Sequence, residues 1–240
     1  MKTLIIFVCS VIVSGAFLIA EEPGELIFED DFERVESQEE KDEPGKGWGT
    51  NSRSRAKGNK QVDLREGAMY IFIHEEADHG VSVTQPMEFA AGTVAMRFML
   101  EHEKDVLGLN FADLKCKEVH AGHLFAAKIG TKEVTLQDLK TGNMDLEIRS
   151  ARQAKTLTEE QKEMLETKGK KFRNALETGK WYDLIVRVRG DVLSLEIDGD
   201  EIGNFQSEGI AHPTKRLLRL AVNRDAVVVF SMRFPASQLP

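Results

Sequence analysis

Cysteine is scarce in this 240-residue chain, which contains only Cys9 and Cys116. Cys9 lies inside an apolar run at the amino terminus that resembles an export signal. If that run is removed, Cys116 stands alone and no intrachain disulfide can form. A domain of the remaining length buries enough apolar surface to hold itself together without one.

Positive charge and aromatic residues are also in short supply. The formal net charge is −8, and aromatic residues make up 7% of the chain. Phosphate binding requires a basic surface, so the acidic balance argues against nucleic acid as a partner. The sequence also has no serine nucleophile elbow, no phosphate-binding glycine loop and no zinc-protease helix motif. The familiar enzyme classes that these motifs mark are therefore disfavoured.

Residues 1–20 have the pattern of a secretory signal peptide. Lys2 precedes an apolar run over Leu4–Val13, and small residues follow at Ser14–Ala16 and again at Ala20. We expect cleavage after Ala16 or Ala20, and hence a secreted or periplasmic protein. The alternative is an uncleaved membrane anchor, because the run approaches the roughly 20 residues that span a bilayer. Contact with a membrane is expected only in that case.

Strand-like alternation is strongest between residues 180 and 205. Apolar and polar residues alternate over Tyr182–Val188 and again over Leu193–Ile197, the period of a half-buried strand. Gly190 with Asp191, and Asp198 with Gly199, supply the intervening turns. Strands in such close succession indicate an antiparallel sheet rather than βαβ units. Because similar patterns recur, residues 21–240 are predicted to form one all-β domain, an antiparallel two-sheet β-sandwich.

One segment departs from this alternation. Leu157–Leu176 carries apolar residues at helical spacing, and Thr158 with Gln161 can form a capping box. The sequence thus predicts one helix, or two, inserted at about residues 155–178. This insert could form a wall of a groove or pack simply as a surface helix. A strand is expected just before it, over Met144–Ile148.

Five short motifs carry a resemblance to a known family. The chain resembles the concanavalin A-like sandwiches and, more narrowly, the secreted bacterial 3-keto-disaccharide hydrolase domain, which is itself similar to family 16 glycoside hydrolases. The resemblance spans nearly all of the chain after the signal. It implies a jelly roll of two curved sheets whose concave face holds carbohydrate, and an activity on glycosides of (3-keto) sugars. The motifs are DDFER (Asp30–Arg34), LNFADL (Leu109–Leu114), HAGHL (His120–Leu124), VRGDVLSLEIDGDEI (Val188–Ile202) and GIAHPTK (Gly209–Lys215).

The main polar constellation combines one carboxylate, one amide and two imidazoles. Asp113, His120 and His123 are the candidate catalytic residues, as general acid and base, and Asn110 is a candidate ligand for sugar hydroxyls. Two histidines three residues apart point to opposite faces of a strand unless Gly122 forms a bulge. The alternative is one surface histidine and one satisfied by the backbone.

Three further residues are candidate substrate-binding groups. Trp48 lies in a glycine-flanked loop and could stack on a sugar ring, whereas Trp181 precedes a strand and is expected to be buried. His212 and Lys215 lie in a loop that Pro213 restricts, which suits a ligand site. A purely structural corner is the alternative for this loop.

Acidic clusters give little support for a bound metal. Asp30, Asp31 and Glu33 could offer oxygens to Ca²⁺, but they lack the spacing of an EF-hand loop, and a solvated acidic edge explains them as well. No other cofactor and no catalytic metal are expected.

A second acidic cluster imitates a glycosidase motif. Glu196, Asp198 and Glu201 resemble the acidic signature of family 16 glycosidases, which takes both carboxylates from one uninterrupted strand. Here the Asp198-Gly199 turn would place Glu201 on the following strand. This separation argues against a catalytic role.

Three functions remain open from the sequence. A hydrolase or lyase of glycosides predicts that Asp113 and at least one of His120 and His123 face a shared pocket without a salt-bridge partner. A non-catalytic glycan-binding module predicts a shallow groove with an exposed aromatic residue, for which Trp48 is the candidate. A structural or protein-binding sandwich predicts a face that is filled by apolar side chains or covered by the helix.

Overall fold

The structure is a computed structural model that describes residues 25–223 and 227–237. Fifteen strands within these residues form two antiparallel sheets. The strands are β1 (Glu25–Asp30), β2 (Gly49–Thr50), β3 (Val62–Arg65), β4 (Ala68–Ile71), β5 (Val81–Phe89), β6 (Ala91–Leu100), β7 (Val106–Ala112), β8 (His123–Gly130), β9 (Glu133–Asp138), β10 (Gly169–Arg173), β11 (Trp181–Arg189), β12 (Val192–Ile197), β13 (Asp200–Gln206), β14 (Lys215–Val222) and β15 (Val227–Ser237).

Short helices connect some of these strands. None of the helices in the described ranges is long and apolar enough to cross a membrane. The predicted signal, residues 1–20, lies outside the described residues. The helices are α1 (Ser52–Arg55), α2 (Leu146–Ala154) and α3 (Glu159–Thr167), with 3₁₀ turns at His120–Gly122 and Glu208–Ala211.

The two sheets have an order that confirms the predicted β-sandwich. The eight-stranded sheet runs β13-β12-β11-β6-β15-β4-β3, with β1 also paired to β15. The seven-stranded sheet runs β10-β9-β8-β7-β14-β5-β2. All strand pairs are antiparallel, as closely spaced strands in the sequence predict.

One apolar core fills the space between the sheets. Leu184, Val186 and Val188 of β11 belong to the same buried cluster as Leu109 and Phe111 of β7, although these strands lie in different sheets. In a strand, successive side chains point to opposite faces, so the residues between these apolar ones face away from the core. This alternation places Asn110 on the outer face of the seven-stranded sheet.

The Asp198-Gly199 turn separates the glycosidase-like acidic residues as predicted. Asp198 and Gly199 have φ values of 51° and 85°, which suit a tight hairpin between β12 and β13. Glu196 stays on β12 and pairs with Arg187, whereas Glu201 lies on β13. The three acidic residues therefore do not share one strand.

The prediction of the helical insert was correct at its start and wrong at its end. Thr158 and Gln161 form the expected capping box at the beginning of α3. The helix ends at Thr167, however, and Gly169–Arg173 forms strand β10 at the edge of the seven-stranded sheet. The ring of Phe172 in β10 packs so closely on Gly203 of β13 that a Cβ there would overlap it. This contact, which depends on tertiary structure, overrides the helical spacing.

The predicted strand over Met144–Ile148 was also wrong. The side chain of Asp145 accepts hydrogen bonds from the backbone N–H groups of Glu147 and Ile148, both at 3.0 Å. These two bonds satisfy donors that a new helix leaves unpaired, so α2 begins here.

Candidate functional site

Small and polar residues line the middle of the outer face of the seven-stranded sheet. Arg219 of β14 lies beside Asn110 of β7, which in turn lies beside Ala126 of β8. In the next row, Gly108 of β7 lies beside Lys128 of β8. Because Gly108 and Ala126 have almost no side chain, the longer groups of Arg219, Asn110 and Lys128 stand around a shallow floor.

Asn110, His123 and Arg219 form a hydrogen-bonded group that we call the imidazole cluster. His123 Nδ1 lies 2.8 Å from Asn110 Oδ1, and Arg219 Nη1 lies 3.2 Å from the same oxygen. Arg219 Nη2 donates to the carbonyl of Ala121 at 2.8 Å. Arg219 Nη1, which can only donate, also lies 3.1 Å from His123 Nδ1. Because the contact of Nδ1 with Asn110 Oδ1, which can only accept, is shorter, we assign the imidazole proton to Nδ1.

This assignment leaves His123 Nε2 as a hydrogen-bond acceptor. No hydrogen bond joins Nε2 to any residue of the described ranges. Burial, the positive charge of Arg219 and that of His120 lower the pKa of His123 to about 4. The ring is therefore neutral near pH 7 and can accept a hydrogen bond from a ligand hydroxyl.

A strained turn brings the two histidines of the HAGHL motif near each other. Ala121 and Gly122 have φ values of 51° and 71°, and the pairing of β7 with β8 is irregular at this point. The ring centroids of His120 and His123 lie 6.4 Å apart as a result. His120 is exposed, so it borders the imidazole cluster from the solvent side.

Asp113, His212 and Arg216 form a second group, the Asp113 cluster. Asp113 Oδ2 accepts from Arg216 Nη1 at 2.6 Å and lies 3.1 Å from His212 Nε2, and Oδ1 accepts from the backbone N–H of Lys115. Burial alone would raise the pKa of Asp113, but the hydrogen bonds from His212 and Lys115 and the charge of Arg216 lower it.

These partners weigh against Asp113 as a catalytic acid or base. The enzyme hypothesis requires Asp113 to lack a salt-bridge partner, and the structure gives it Arg216. His212 is likewise directed at Asp113 rather than displayed for a ligand. The cluster instead supports the loop before His123, because the N–H of Asp113 donates to the carbonyl of Gly122 at 2.8 Å.

The structure contradicts a stacking role for Trp48. The indole is buried between Phe28 and Phe32, and its Nε1–H donates to Asp30 at 2.8 Å. The other tryptophan, Trp181, is only partly buried, contrary to expectation. The groove with Trp48 as its exposed aromatic, which the binding-module hypothesis predicted, is therefore not found at this loop.

The structure also contradicts direct ligand binding by Lys215. Only 2% of this residue is exposed, and its Nζ donates to the carbonyl of Ala90 at 2.7 Å, near the ring of Phe125. Burial lowers the pKa of Lys215 to about 8. The buried ammonium group of Lys215 therefore supports the packing at this end of the sandwich.

Of the three residues proposed for calcium, Asp30 is engaged by other partners. Asp30 is buried and accepts from Arg34, Trp48 and the backbone N–H of Phe32. Throughout residues 25–223 and 227–237, no three His, Cys, Asp or Glu side chains are grouped closely enough to hold a metal ion. Asp30 instead anchors the amino-terminal segment to the core.

Arg219 and Arg216 are the residues that sequence reasoning missed. Both lie in β14, where they interrupt an otherwise apolar strand, KRLLRLAV. A cation within such a strand is a usable signal for a polar outer face. Its neighbours Asn110 and Asp113, however, become visible only once the register between β14 and β7 is known.

Comparisons with known proteins agree with this architecture. No family model matches the chain, and no curated protein matches it by sequence. The β-glucanase of Bacillus licheniformis superposes with a TM-score of 0.58 at 8% identity, covering 88% of this chain and 98% of that one. The laminarinase catalytic domain of Thermotoga maritima gives 0.55 at 10% identity, covering 90% and 100%. The carbohydrate-binding module CBM66 of Bacillus subtilis gives 0.52 at 11% identity, covering 79% and 96%.

These similarities confirm the predicted concanavalin A-like jelly-roll fold. At such low identities they establish the fold alone. They do not show the narrower 3-keto-disaccharide hydrolase family that the sequence resembles.

Proposed function

We propose that this protein binds carbohydrate on the outer face of its seven-stranded sheet, with the imidazole cluster as the centre of the site. The observation that carries the proposal is the arrangement of Asn110, His123 and Arg219. It presents a fixed acceptor at His123 Nε2 beside guanidinium and amide groups. Sugar hydroxyls both donate and accept, so they suit such a mixed set. The names of the structural neighbours, which include glucanases and a carbohydrate-binding module, support the same ligand class.

Binding is better supported than glycoside hydrolysis by a pair of carboxylates. That mechanism requires two carboxyl groups facing the sugar. The outer face of β7 presents Gly108, Asn110 and Ala112 instead, and the nearby Asp113 is engaged by Arg216.

The test is calorimetric titration with a panel of tetrasaccharides: laminaritetraose, tetragalacturonate and a sulfated carrageenan tetrasaccharide. At least one should bind, and Arg219→Gln should weaken it at least tenfold, about 1.4 kcal/mol. The matched control is Arg187→Gln, which makes the same change on the outer face of the other sheet, where Arg187 pairs with Glu196. Equal loss in the two variants, or no binding by the wild-type protein, would refute the proposal.

A second candidate function is elimination from 3-keto glycosides. It is favoured by the neutral imidazole of His123 with its proton held on Nδ1. The C3 carbonyl acidifies the proton on C2, so His123 Nε2 would take that proton, the C1–O bond would break, and the proton would pass to the leaving oxygen. Water would then add to the enone. The low pKa of His123 makes it a weak base for this step, which is why binding takes precedence.

Incubation with 3-keto-glucosides and ordinary disaccharides separates the two functions. Elimination predicts release of sugar from the keto substrate alone, lost in His123→Ala and retained in His79→Gln, which changes an exposed histidine in the loop before β5. Binding without release would leave this protein a glycan-binding module.

We also propose export, on the pattern of residues 1–20.

A further inference from the structure

Half-buried cations in this protein are generally paired with carboxylates. Arg34 pairs with Asp30, and Arg187 pairs with Glu196. Lys60 and Arg216 have carboxylate partners too. This pairing is expected, because a cation removed from water costs free energy unless an anion compensates it.

Arg219 departs from this pattern. The buried Lys215 also lacks a carboxylate partner, but its Nζ is enclosed against the carbonyl of Ala90, whereas Arg219 is only half-buried. The polar partners of Arg219 are Asn110 Oδ1, the ring of His123 and the carbonyl of Ala121, all neutral, and it forms no ion pair with a carboxylate of the described ranges. Burial lowers the pKa of Arg219. A guanidinium has five N–H donors, and only two of its nitrogens are engaged here. The charge therefore faces the proposed sugar site uncompensated and with donors to spare.

Lys128 is a second cation without a carboxylate partner on the same face. It lines a cavity of about 560 Å³ together with two other lysines, Lys104 and Lys132. None of the described residues forms an ion pair with Lys128. The Lys128 side chain is exposed at the mouth of this cavity, although the protein around it is enough to lower its pKa. The cavity volume lies within the roughly 300–1,000 Å³ of small-ligand sites.

Two of the three carboxylates that line the cavity form ion pairs with lysines. Glu103 pairs with Lys132, and Glu133 pairs with Lys171. The third, Asp105, is fully buried. Its Oδ2 accepts from the backbone N–H groups of Glu101 and His102, whereas its Oδ1 has no hydrogen-bond partner among the described residues. Lys128 thus remains available to a ligand.

The register of the sheet sets the spacing of the two cations. Arg219 on β14 and Lys128 on β8 are separated by β7. Along the strands, the two residues are offset by one outward-facing position. Strand spacing and rise place their Cα atoms about 12 Å apart. Such a span exceeds one sugar ring, so a ligand that contacts both must be an oligosaccharide.

We propose that the ligand is an acidic glycan, with one carboxylate or sulfate group bound by Arg219 and another bound in the cavity by Lys128. This inference rests on the proposed carbohydrate function and names its substrate class. The protein has a net charge of −8, so two cations without carboxylate partners on one face would favour an acidic oligosaccharide over a neutral one.

The experiment compares the three tetrasaccharides at low salt. We expect at least one acidic probe, tetragalacturonate for carboxylate or the carrageenan fragment for sulfate, to bind at least tenfold more tightly than laminaritetraose. Lys128→Gln should weaken the acidic probe several-fold and leave laminaritetraose unchanged. The control is Lys162→Gln, which removes the same charge from an exposed pair with Glu159 on α3.

The outcomes distinguish this inference from the function on which it rests. Equal binding of neutral and acidic probes, with loss in Arg219→Gln, would overturn the acidic ligand and leave the sugar site intact. A Lys128→Gln effect no larger than that of Lys162→Gln would overturn the second contact. Absence of binding by every probe would overturn both proposals.

Discussion

Replacing Asp138 by alanine is expected to lower the free energy of unfolding by roughly 3–5 kcal/mol, because a buried, fully hydrogen-bonded carboxylate would be lost. Asp138 lies at the end of β9 in the seven-stranded sheet and is 1% exposed. Its Oδ2 accepts from Ser207 Oγ at 2.6 Å and from the N–H of Gly209 at 3.0 Å. Thr141 donates from both its N–H and its hydroxyl.

This carboxylate ties the ends of the two sheets together. Ser207 directly follows β13 of the eight-stranded sheet, and Gly209 lies in the 3₁₀ turn before β14. Gly209 and the Asp138 carboxylate lie so close together that a Cβ on Gly209 would overlap the carboxylate. No larger residue therefore fits at position 209. Asp138→Ala would leave the buried N–H of Gly209 without a hydrogen-bond acceptor.

Urea unfolding measures this effect as a shift of the midpoint at constant slope. The control is Asp145→Ala, which removes a half-buried helix cap and should cost only about 1 kcal/mol. Equal losses in the two variants would show that Asp138 does not join the sheets.

Replacing Gly122 by alanine is expected to cost roughly 2–5 kcal/mol and to weaken glycan binding. An L-residue at its φ of 71° costs about 1–2 kcal/mol, and overpacking adds about 1–3. The new Cβ would overlap the carbonyl of Asp113, whose own N–H donates to Gly122. Relief of that clash must move the turn that orients His123, so affinity should fall along with stability.

Gly179 offers a matched control for this substitution. It has the same φ of 71°, but no heavy atom lies within 4 Å of the position that a Cβ would take. Gly179→Ala should therefore show only the conformational cost, without loss of binding. Similar losses of stability and affinity in both variants would contradict the account of the turn.

The sequence was most informative where local pattern decides the structure. Alternation over Tyr182–Val188 and the Asp198-Gly199 turn predicted the β11–β13 region correctly, and the capping box located the start of α3. These features depend on neighbours in the chain, so no knowledge of the fold is needed to read them.

Long-range contacts explain what the sequence did not reveal. Phe172 fits helical spacing, yet its packing on Gly203 makes it part of a strand. Trp48 resembles an exposed loop residue until Phe28 and Phe32 enclose it. The sugar-binding role proposed for Arg219 follows from its position beside Asn110, and nothing in the linear order of the chain indicates that pairing.

The central claim is that saccharides bind on the outer face of the seven-stranded sheet. Amide chemical-shift mapping, with the tetrasaccharide panel added to the ¹⁵N-labelled protein, tests it most directly. The account predicts shifts at Gly108, Ala126 and Arg219, with little change at Ser194 and Glu196 in the other sheet. Shifts confined to the eight-stranded sheet, or none with any probe, would contradict it.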